Sequence, residues 1–397
     1  MLFKKGWLLR ITLAMALALA MVGTLVAFAQ PTASAAQSSS FPTISLSQLR
    51  GNYLSPSQMH TAAQMTNVKR AAGLSGGGLQ FVPTFNGSFT SNNTTFPFTM
   101  VGSDPSLGSH TTHIKTIVIP VSFHFPDQNV TFSGGGQNTK TLLDSPIFSS
   151  NHELTGEQTQ WGDEIMRNQF NNFVTTTSPN YHVLLNRPDV RPTLHVTLPF
   201  NTSNEVADLV FQIPNTSITI GIVDINFFLP WIENEVLSMH LPADTLPVFQ
   251  FRDVYLNFGS IDPKNLQCCV LGFHDTFTST ANPNAIHTEI FESVSTPGIF
   301  SGVAGITAMS HETAEWLNDP FGNNPTPNWV NAGGGCQNNL ETGDFLEGNP
   351  IAPILVDGFT LQDETNLYWF ARTSQPTPAK FGLYDFAGRL NTFSTAC

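Results

Sequence analysis

The fold and the chemistry of this chain both depend on the stretch Ser310-His311-Glu312-Thr313-Ala314-Glu315-Trp316-Leu317-Asn318-Asp319-Pro320. Apolar residues before and within it recur at helical spacing, which predicts a helix over 303–318 with one buried face. Pro320 ends this helix, because a residue that precedes proline avoids helical geometry. His311 and Glu315 are four residues apart, so their side chains lie one above the other on the same helix face.

The motif has the form HExxE. In the HExxH helix of zinc hydrolases two histidines bind the metal, and the glutamate after the first histidine is the general base. Here Glu315 stands where the second histidine would be. We therefore predict that His311 and Glu315 bind a metal ion. Glu312 is predicted to act as general base, which accepts a proton from the attacking water.

A catalytic zinc ion usually has three protein ligands, so a third ligand is expected from elsewhere in the chain. Acidic residues cluster about 30 residues downstream, in 340–347 (LETGDFLE). Glu341 is the first choice and Asp344 the second. His274 and His287, upstream of the motif, are alternatives.

A site of one imidazole and two carboxylates is harder and more anionic than a three-histidine site. We predict one divalent metal ion. Zn²⁺ is favoured, and Mn²⁺, Fe²⁺ and Ca²⁺ are alternatives. In the competing interpretation no metal binds, His311 is a hydrogen-bonded structural histidine, and Glu312 and Glu315 are solvated.

The chain begins like an export signal. A basic start with Lys4, Lys5 and Arg10 precedes an apolar run from 11 to 29, and 33–35 (ASA) has the small-x-small pattern of a cleavage site. This predicts a signal peptide over 1–35, a secreted or extracellular protein that can stay at the cell surface, and no stable membrane span after cleavage. Retention of the apolar run as an anchor is the alternative.

Composition excludes one class of partner. The formal net charge is −13, and loss of 1–35, which carries three cations and no acid, lowers it to −16. Nucleic-acid binding requires clustered lysine and arginine, so no nucleic-acid partner is expected. The sequence also contains no P-loop or GxGxxG fingerprint, and its GxSxG match at 73–77 (GLSGG) lies in a polar stretch without the strand-to-helix context of a nucleophile elbow.

The fold class predicted is α+β: a single large domain with a twisted mixed sheet and the motif helix at its centre. Residues 36–112 are rich in Ser, Thr, Asn and Gly and are interpreted as a polar, weakly ordered leader or pro-segment. Residues 113–397 form the domain. Strands are predicted at 114–125, 192–199, 246–257 and 269–274. Helices are predicted near 155–173 and at 227–240, 303–318 and 362–372.

Four cysteines, Cys268, Cys269, Cys336 and Cys397, indicate up to two disulfides in an oxidising compartment. A bond between the 268/269 pair and Cys336 is the preferred pairing, because these residues flank the motif helix.

Two parts of the chain together resemble a known group. The runs 310–321 (SHETAEWLNDPF) and 336–344 (CQNNLETGD) resemble a group of secreted bacterial proteins with the pattern SHExAEWxNDPF followed by CQNNLExGD. The segments 159–163 and 271–274 are also similar to this group. More distantly, the motif region is similar to the plant phosphate-induced, EXORDIUM-like secreted proteins. The resemblance implies a secreted protein with a zincin-like, protease-like metal helix, and it pairs His311 and Glu315 with Glu341 or Asp344.

The expected function is a secreted metal-dependent hydrolase, with a peptidase favoured and a peptide or cell-wall polymer as substrate. The alternative is a non-catalytic cell-surface or matrix protein in which the same residues hold a structural ion or a degenerate site. The oligomeric state does not follow from the sequence.

Overall fold

The structure is a computed structural model that describes residues 41–44, 52–54, 79–154, 156–198, 208–257, 266, 268–279, 281–331, 334–347, 353–373, 384–393 and 397. The predicted signal peptide, 1–35, lies outside the described residues.

The described residues contain six α-helices and eighteen strands. The helices are α1 (Gln137–Asp144), α2 (Trp161–Gln169), α3 (Asn171–Val174), α4 (Ile225–Ser238), α5 (Thr307–Asn318) and α6 (Leu367–Ala371). The strands are β1 (Asn52–Leu54), β2 (Thr84–Ser91), β3 (Thr94–Val101), β4 (Thr111–Phe125), β5 (Val130–Ser133), β6 (His182–Leu185), β7 (Asp189–Val190), β8 (Leu194–Thr197), β9 (Asp208–Gln212), β10 (Thr219–Asp224), β11 (Thr245–Arg252), β12 (Val254–Asn257), β13 (Cys268–Thr278), β14 (Ile286–Val294), β15 (Pro325–Val330), β16 (Cys336–Asn339), β17 (Ile354–Val356) and β18 (Phe359–Leu361).

Twelve strands form one mixed sheet, with the main order β5-β4-β11-β14-β13-β12-β10-β9. The central strands β4, β11 and β14 are parallel, whereas β13 pairs antiparallel to both β14 and β12. The remaining strands of the sheet, β6, β7 and β8, pair with β4, and β1 pairs with β13. The predicted α+β fold with a single large mixed sheet is confirmed.

Helices cover both faces of this sheet because its central strands are apolar on both sides. One face, here called the site face, includes Val118, Val248 and Ile290 and packs against α2 and α5. The opposite face, here called the far face, includes Phe249, Phe291 and other aromatic residues and packs against α4. Successive side chains of a strand point to opposite faces, so each central strand contributes to both cores.

The motif helix α5 is completely buried. The indole Nε1 of Trp161 in α2 donates a hydrogen bond to the Ser310 carbonyl oxygen (3.0 Å), and the Ser310 hydroxyl accepts one from the Gln362 backbone N–H (2.9 Å). After the helix ends, Asp319 accepts hydrogen bonds from the backbone N–H groups of Asn323 and Asn324. The helix is thus fixed along its length and at its carboxyl end.

The hairpin of β2 and β3 lies inside the segment 36–112 that composition indicated as a leader. Its residues Phe98 and Met100 belong to the core on the site face. Asn324, just beyond α5, exchanges two hydrogen bonds with the backbone of Thr99 in β3 (2.8 and 2.9 Å). The folded domain therefore includes this hairpin and begins before residue 113.

Most predicted elements exist with shifted bounds. The helix expected to start near Thr155 begins at Trp161, with Gln160 at the N-cap. The segment predicted as one strand over 246–257 is two strands, β11 and β12, separated by Asp253 with φ 51°. No strand was predicted for β14, which is buried throughout its length and forms the centre of the sheet.

The cysteines form two bonded pairs, Cys268–Cys269 and Cys336–Cys397. The preferred pairing of the 268/269 pair with Cys336 is therefore wrong. Cys336 is the first residue of β16, and Cys397 bonds to it (Cα–Cα 5.9 Å). Among the described residues, none of the helices has the length and apolar character needed to cross a membrane.

Candidate metal centre

Six ionisable side chains converge beneath the sheet's site face and are at most 3% exposed. We call them the acid–imidazole cluster; they are His274 from β13, His311, Glu312 and Glu315 from α5, and Glu341 and Asp344 from 340–347, the acidic loop that follows β16. The five residues that the sequence favoured as ligands or base are members, and so is His274, one of the two alternative ligands. Their roles remain predictions.

The His311 ring faces three carboxylates. Its Nε2 atom lies 3.0 Å from Oε2 of Glu315, 3.7 Å from Oδ1 of Asp344 and 4.0 Å from Oε1 of Glu312. The i, i+4 spacing on α5 explains the first contact, and the fold of the acidic loop under the helix explains the second. The residue that meets His311 from this loop is thus Asp344, the second choice from the sequence.

Glu341, the first choice, faces the other imidazole. Its Oε2 lies 3.9 Å from Nε2 of His274. On its other side the His274 ring hydrogen-bonds through Nδ1 to Oε2 of Glu312 (3.2 Å) and lies 3.9 Å from Oε2 of Glu315. His274 therefore joins Glu341 to the carboxylates of α5.

Amide groups in and around the acidic loop hold one oxygen of three carboxylates of the cluster, those of Asp344, Glu341 and Glu315. The side-chain amides of Gln337 and Asn339 in β16 donate to Oδ2 of Asp344 (3.0 Å) and Oε1 of Glu341 (2.6 Å), respectively. The backbone N–H groups of Gly343 and Asp344 donate to Oε1 of Glu315 (2.9 and 3.3 Å). The second oxygen of each acid is thereby directed toward an imidazole.

Two glycines make room for these side chains. A Cβ atom on Gly343 would lie 2.3 Å from Nδ1 of His311, so only glycine lets the acidic loop pass this close to the ring. A Cβ atom on Gly272 of β13 would lie 2.9 Å from Cγ of Glu312. The backbone thus passes close to both the predicted ligand His311 and the predicted base Glu312.

Burial governs the electrostatics of the cluster. It raises the pKa of Asp344 to about 7, with Glu315 adding to the shift, and raises the pKa values of Glu312 and Glu341 well above their usual range, with Glu315 again the main neighbour. Burial also lowers the pKa of His274 to about 4. Burial alone would raise the pKa of Glu315, but His311, His274 and the Gly343 N–H group lower it overall.

These shifts mean that the buried carboxyl groups need either protons or a cation to offset their charge. Two ligands that each lie about 2.1 Å from a tetrahedral zinc ion are about 3.4 Å apart. The separations of 3.0 and 3.7 Å around His311 Nε2 bracket this value. His311, Glu312 and Glu315 offer ligand atoms within 4.8 Å of one another, as do His274, Glu315 and Glu341. The cluster can therefore hold a metal ion.

Two further residues are compared with the predictions: Glu364, which the sequence did not indicate, and His287, which it indicated as an alternative ligand. Glu364 is buried and accepts a hydrogen bond from the Thr342 hydroxyl (3.0 Å). Its Oε2 would lie 3.0 Å from a Cβ atom added to Gly343. No motif marks it. His287, an alternative ligand from the sequence, stacks on Phe277 (ring centroids 5.3 Å apart), which belongs to the far face.

Comparison with known proteins adds nothing to this geometry: no protein-family model, no curated protein and no solved structure matches the chain.

Proposed function

We propose that the protein is a secreted, metal-dependent hydrolase, with a peptidase as the favoured activity. The observation that carries the proposal is the approach of Glu315 and Asp344 to Nε2 of His311, at 3.0 and 3.7 Å, next to Glu312. His311, Glu315 and Asp344 are the proposed ligands, and Zn²⁺ is the favoured ion, ahead of Mn²⁺, Fe²⁺ and Ca²⁺. The resemblance to secreted bacterial proteins with the SHExAEWxNDPF pattern agrees with it.

A divalent ion in this position supplies Lewis acidity and lowers the pKa of a water molecule. Glu312 is the proposed general base. Its Oε2 bonds to His274, which orients the carboxylate, while Oε1 lies 4.0 Å from Nε2 of His311 and has no hydrogen-bond partner among the described residues. This oxygen is available to accept the proton of the attacking water and pass it to the leaving group.

The test compares three variants of the full-length protein for bound metal and for cleavage of denatured casein. His311→Ala should lose both. Glu312→Gln should keep the metal and lose activity by about 10²- to 10⁴-fold, the usual contribution of a general base. His287→Ala, a buried histidine outside the cluster, should keep both. Full activity of Glu312→Gln would exclude this mechanism.

One observation favours a second function. Every member of the cluster is at most 3% exposed, and closed sites without an open position are typical of structural ions. In that case the protein is a non-catalytic cell-surface or matrix protein. Removal of the metal would then lower its unfolding temperature, and neither the wild type nor any variant would cleave casein.

A further inference from the structure

The cluster contains more carboxyl groups than one divalent ion can balance when all of them are ionised. Five carboxyl groups are buried around the two imidazoles, belonging to Glu312, Glu315, Glu341, Asp344 and Glu364. Within the described part of the chain, the ion pairs of these acids involve histidine only. One divalent ion balances two of the five charges, and two ions balance four. Uncompensated buried charges are among the costliest features of a protein interior.

The second imidazole has the contacts of a metal ligand. In the tautomer with the proton on Nδ1, His274 donates to the Glu312 carboxylate through Nδ1, and Nε2 presents its lone pair to Oε2 of Glu341. These two atoms are completely buried and lack a hydrogen-bond partner among the described residues. A lone pair and an ionised carboxylate oxygen repel each other unless a proton or a cation offsets the charge.

The separation of these atoms supports the same conclusion. At 3.9 Å they are too far apart for a hydrogen bond. They are close to the spacing of two ligands on one ion, about 3.4 Å for tetrahedral zinc and more for a larger ion such as Mn²⁺. Glu341 is held for this role because its other oxygen, Oε1, accepts the Asn339 amide.

We propose that the acid–imidazole cluster binds two divalent cations: one at His311 and Asp344, and a second at His274 and Glu341, with Glu315 bridging them. Glu315 suits a bridging role because its Oε2 lies 3.0 Å from Nε2 of His311, while one oxygen of Glu315, one of Glu341 and one ring nitrogen of His274 lie within 4.8 Å of one another. Two-metal hydrolytic sites hold their ions about 3.5–4 Å apart. This inference builds on the proposed function, to which it adds a second metal site.

The test measures metal stoichiometry in the full-length protein after removal of metal with a chelator and equilibrium dialysis against Mn²⁺ or Zn²⁺. We expect two equivalents in the wild type and one fewer in Glu341→Gln. The glutamine keeps an acceptor for Asn339 and removes the charge that faces His274. Glu289→Gln changes a buried acid of β14, outside the cluster, and should bind as much metal as the wild type.

A second readout is the paramagnetic resonance spectrum of bound Mn²⁺. A bridging carboxylate should couple the two ions magnetically in the wild type and in Glu289→Gln, whereas Glu341→Gln should give the signal of an isolated ion. One equivalent in the wild type overturns the inference, and so does an unchanged stoichiometry in Glu341→Gln.

The same measurements distinguish a failure of the second metal site from a failure of the proposed function. If the wild type binds one ion that His311→Ala loses and Glu341→Gln keeps, the second site is wrong and the proposed metal site stands. If two ions bind but no casein is cleaved, the two-metal inference stands and the hydrolase proposal fails. An apoprotein that takes up neither Mn²⁺ nor Zn²⁺ overturns both.

Discussion

In individual carboxylates of the cluster, one oxygen accepts a supporting hydrogen bond and the other oxygen faces an imidazole. Oδ2 of Asp344 accepts the Gln337 amide, and Oδ1 faces His311 and lacks a hydrogen-bond partner among the described residues. Such outer contacts orient a ligand before the metal arrives, and their loss weakens metal binding without removing a ligand. The amides of β16 are therefore part of the proposed site.

Replacement of Gln337 tests this support. Gln337→Met keeps a similar shape but removes the donor to Asp344, so we expect metal affinity to fall by about 10- to 100-fold. Titration of the apoprotein with Zn²⁺ against a competing chelator measures the change. Asn338→Ala, an exposed neighbour in the same strand, is the control and should bind metal like the wild type. Equal affinity in both variants would mean that Asp344 does not depend on this amide.

Glu292 is a buried acid whose titration should be visible in the stability of the protein. Burial raises its pKa to about 8, although the Gln250 amide that donates to it (3.1 Å) partly offsets the shift. The folded state therefore keeps a proton that the unfolded state releases near pH 4.5. As the pH rises between these values, unfolding releases this proton and the folded state loses stability.

Glu292→Gln replaces the titrating carboxyl group with an amide, which neither binds nor releases this proton. Relative to the wild type, the variant should gain roughly 1 kcal/mol in free energy of unfolding for each pH unit between about 5 and 8. Urea denaturation at several pH values, with a chelator present, measures the difference, and Glu153→Gln controls for loss of an exposed charge. A difference that is constant with pH would contradict the raised pKa of Glu292.

At the scale of elements, the site depends on how closely the acidic loop passes under α5. Gly343 is the point of closest approach, since its missing Cβ would lie 2.3 Å from Nδ1 of His311 and 3.0 Å from Oε2 of Glu364. The loop also depends on β16, whose successor Leu340 donates its backbone N–H to the Asn324 carbonyl (3.0 Å). The acidic loop is therefore held against α5 at Gly343 and against the segment that follows α5 at Leu340.

Gly343→Ala should push the acidic loop away from α5 and abolish metal binding, while the sheet remains folded. Elemental analysis measures the metal, and circular dichroism measures the fold. Gly135→Ala is the matched control, because its new methyl group would meet only side-chain atoms at 3.0 Å or more. Retention of metal by Gly343→Ala would show that the acidic loop can shift without loss of the ligands.

The same elements show what the sequence could and could not predict. The helical spacing of the motif predicted α5, because its apolar residues and Pro320 act locally. The predicted start of α2 near 155 was too early, because Gln160 at the N-cap bonds through its side chain to the backbone of Phe148 and Leu185, contacts that no local pattern contains. β14 was missed because a strand buried on both faces lacks the alternation of a half-buried strand. Pairing of Glu341 with His274 depends on the register of distant segments, which no local pattern contains.

At the scale of the whole molecule, the Cys336–Cys397 bond ties residue 397 to the strand that supports the cluster. It closes a segment with a sequence separation of 61 that includes the acidic loop, Glu364 and α6. A bond across so long a segment restricts the unfolded chain far more than one between neighbours such as Cys268 and Cys269. We therefore expect its effect on stability to exceed its effect on the site.

The double variant Cys336→Ser/Cys397→Ser should lose about 2–4 kcal/mol in free energy of unfolding, measured with urea. Both positions are exposed, so serine leaves no buried polar group. Metal stoichiometry at a temperature where the variant is folded should equal that of the wild type. The reason is that β16 stays paired with β15, and the Trp329 indole still donates to the Asn339 carbonyl (2.9 Å). Loss of metal from the folded variant would instead mean that the covalent bond itself positions Glu341 and Asp344.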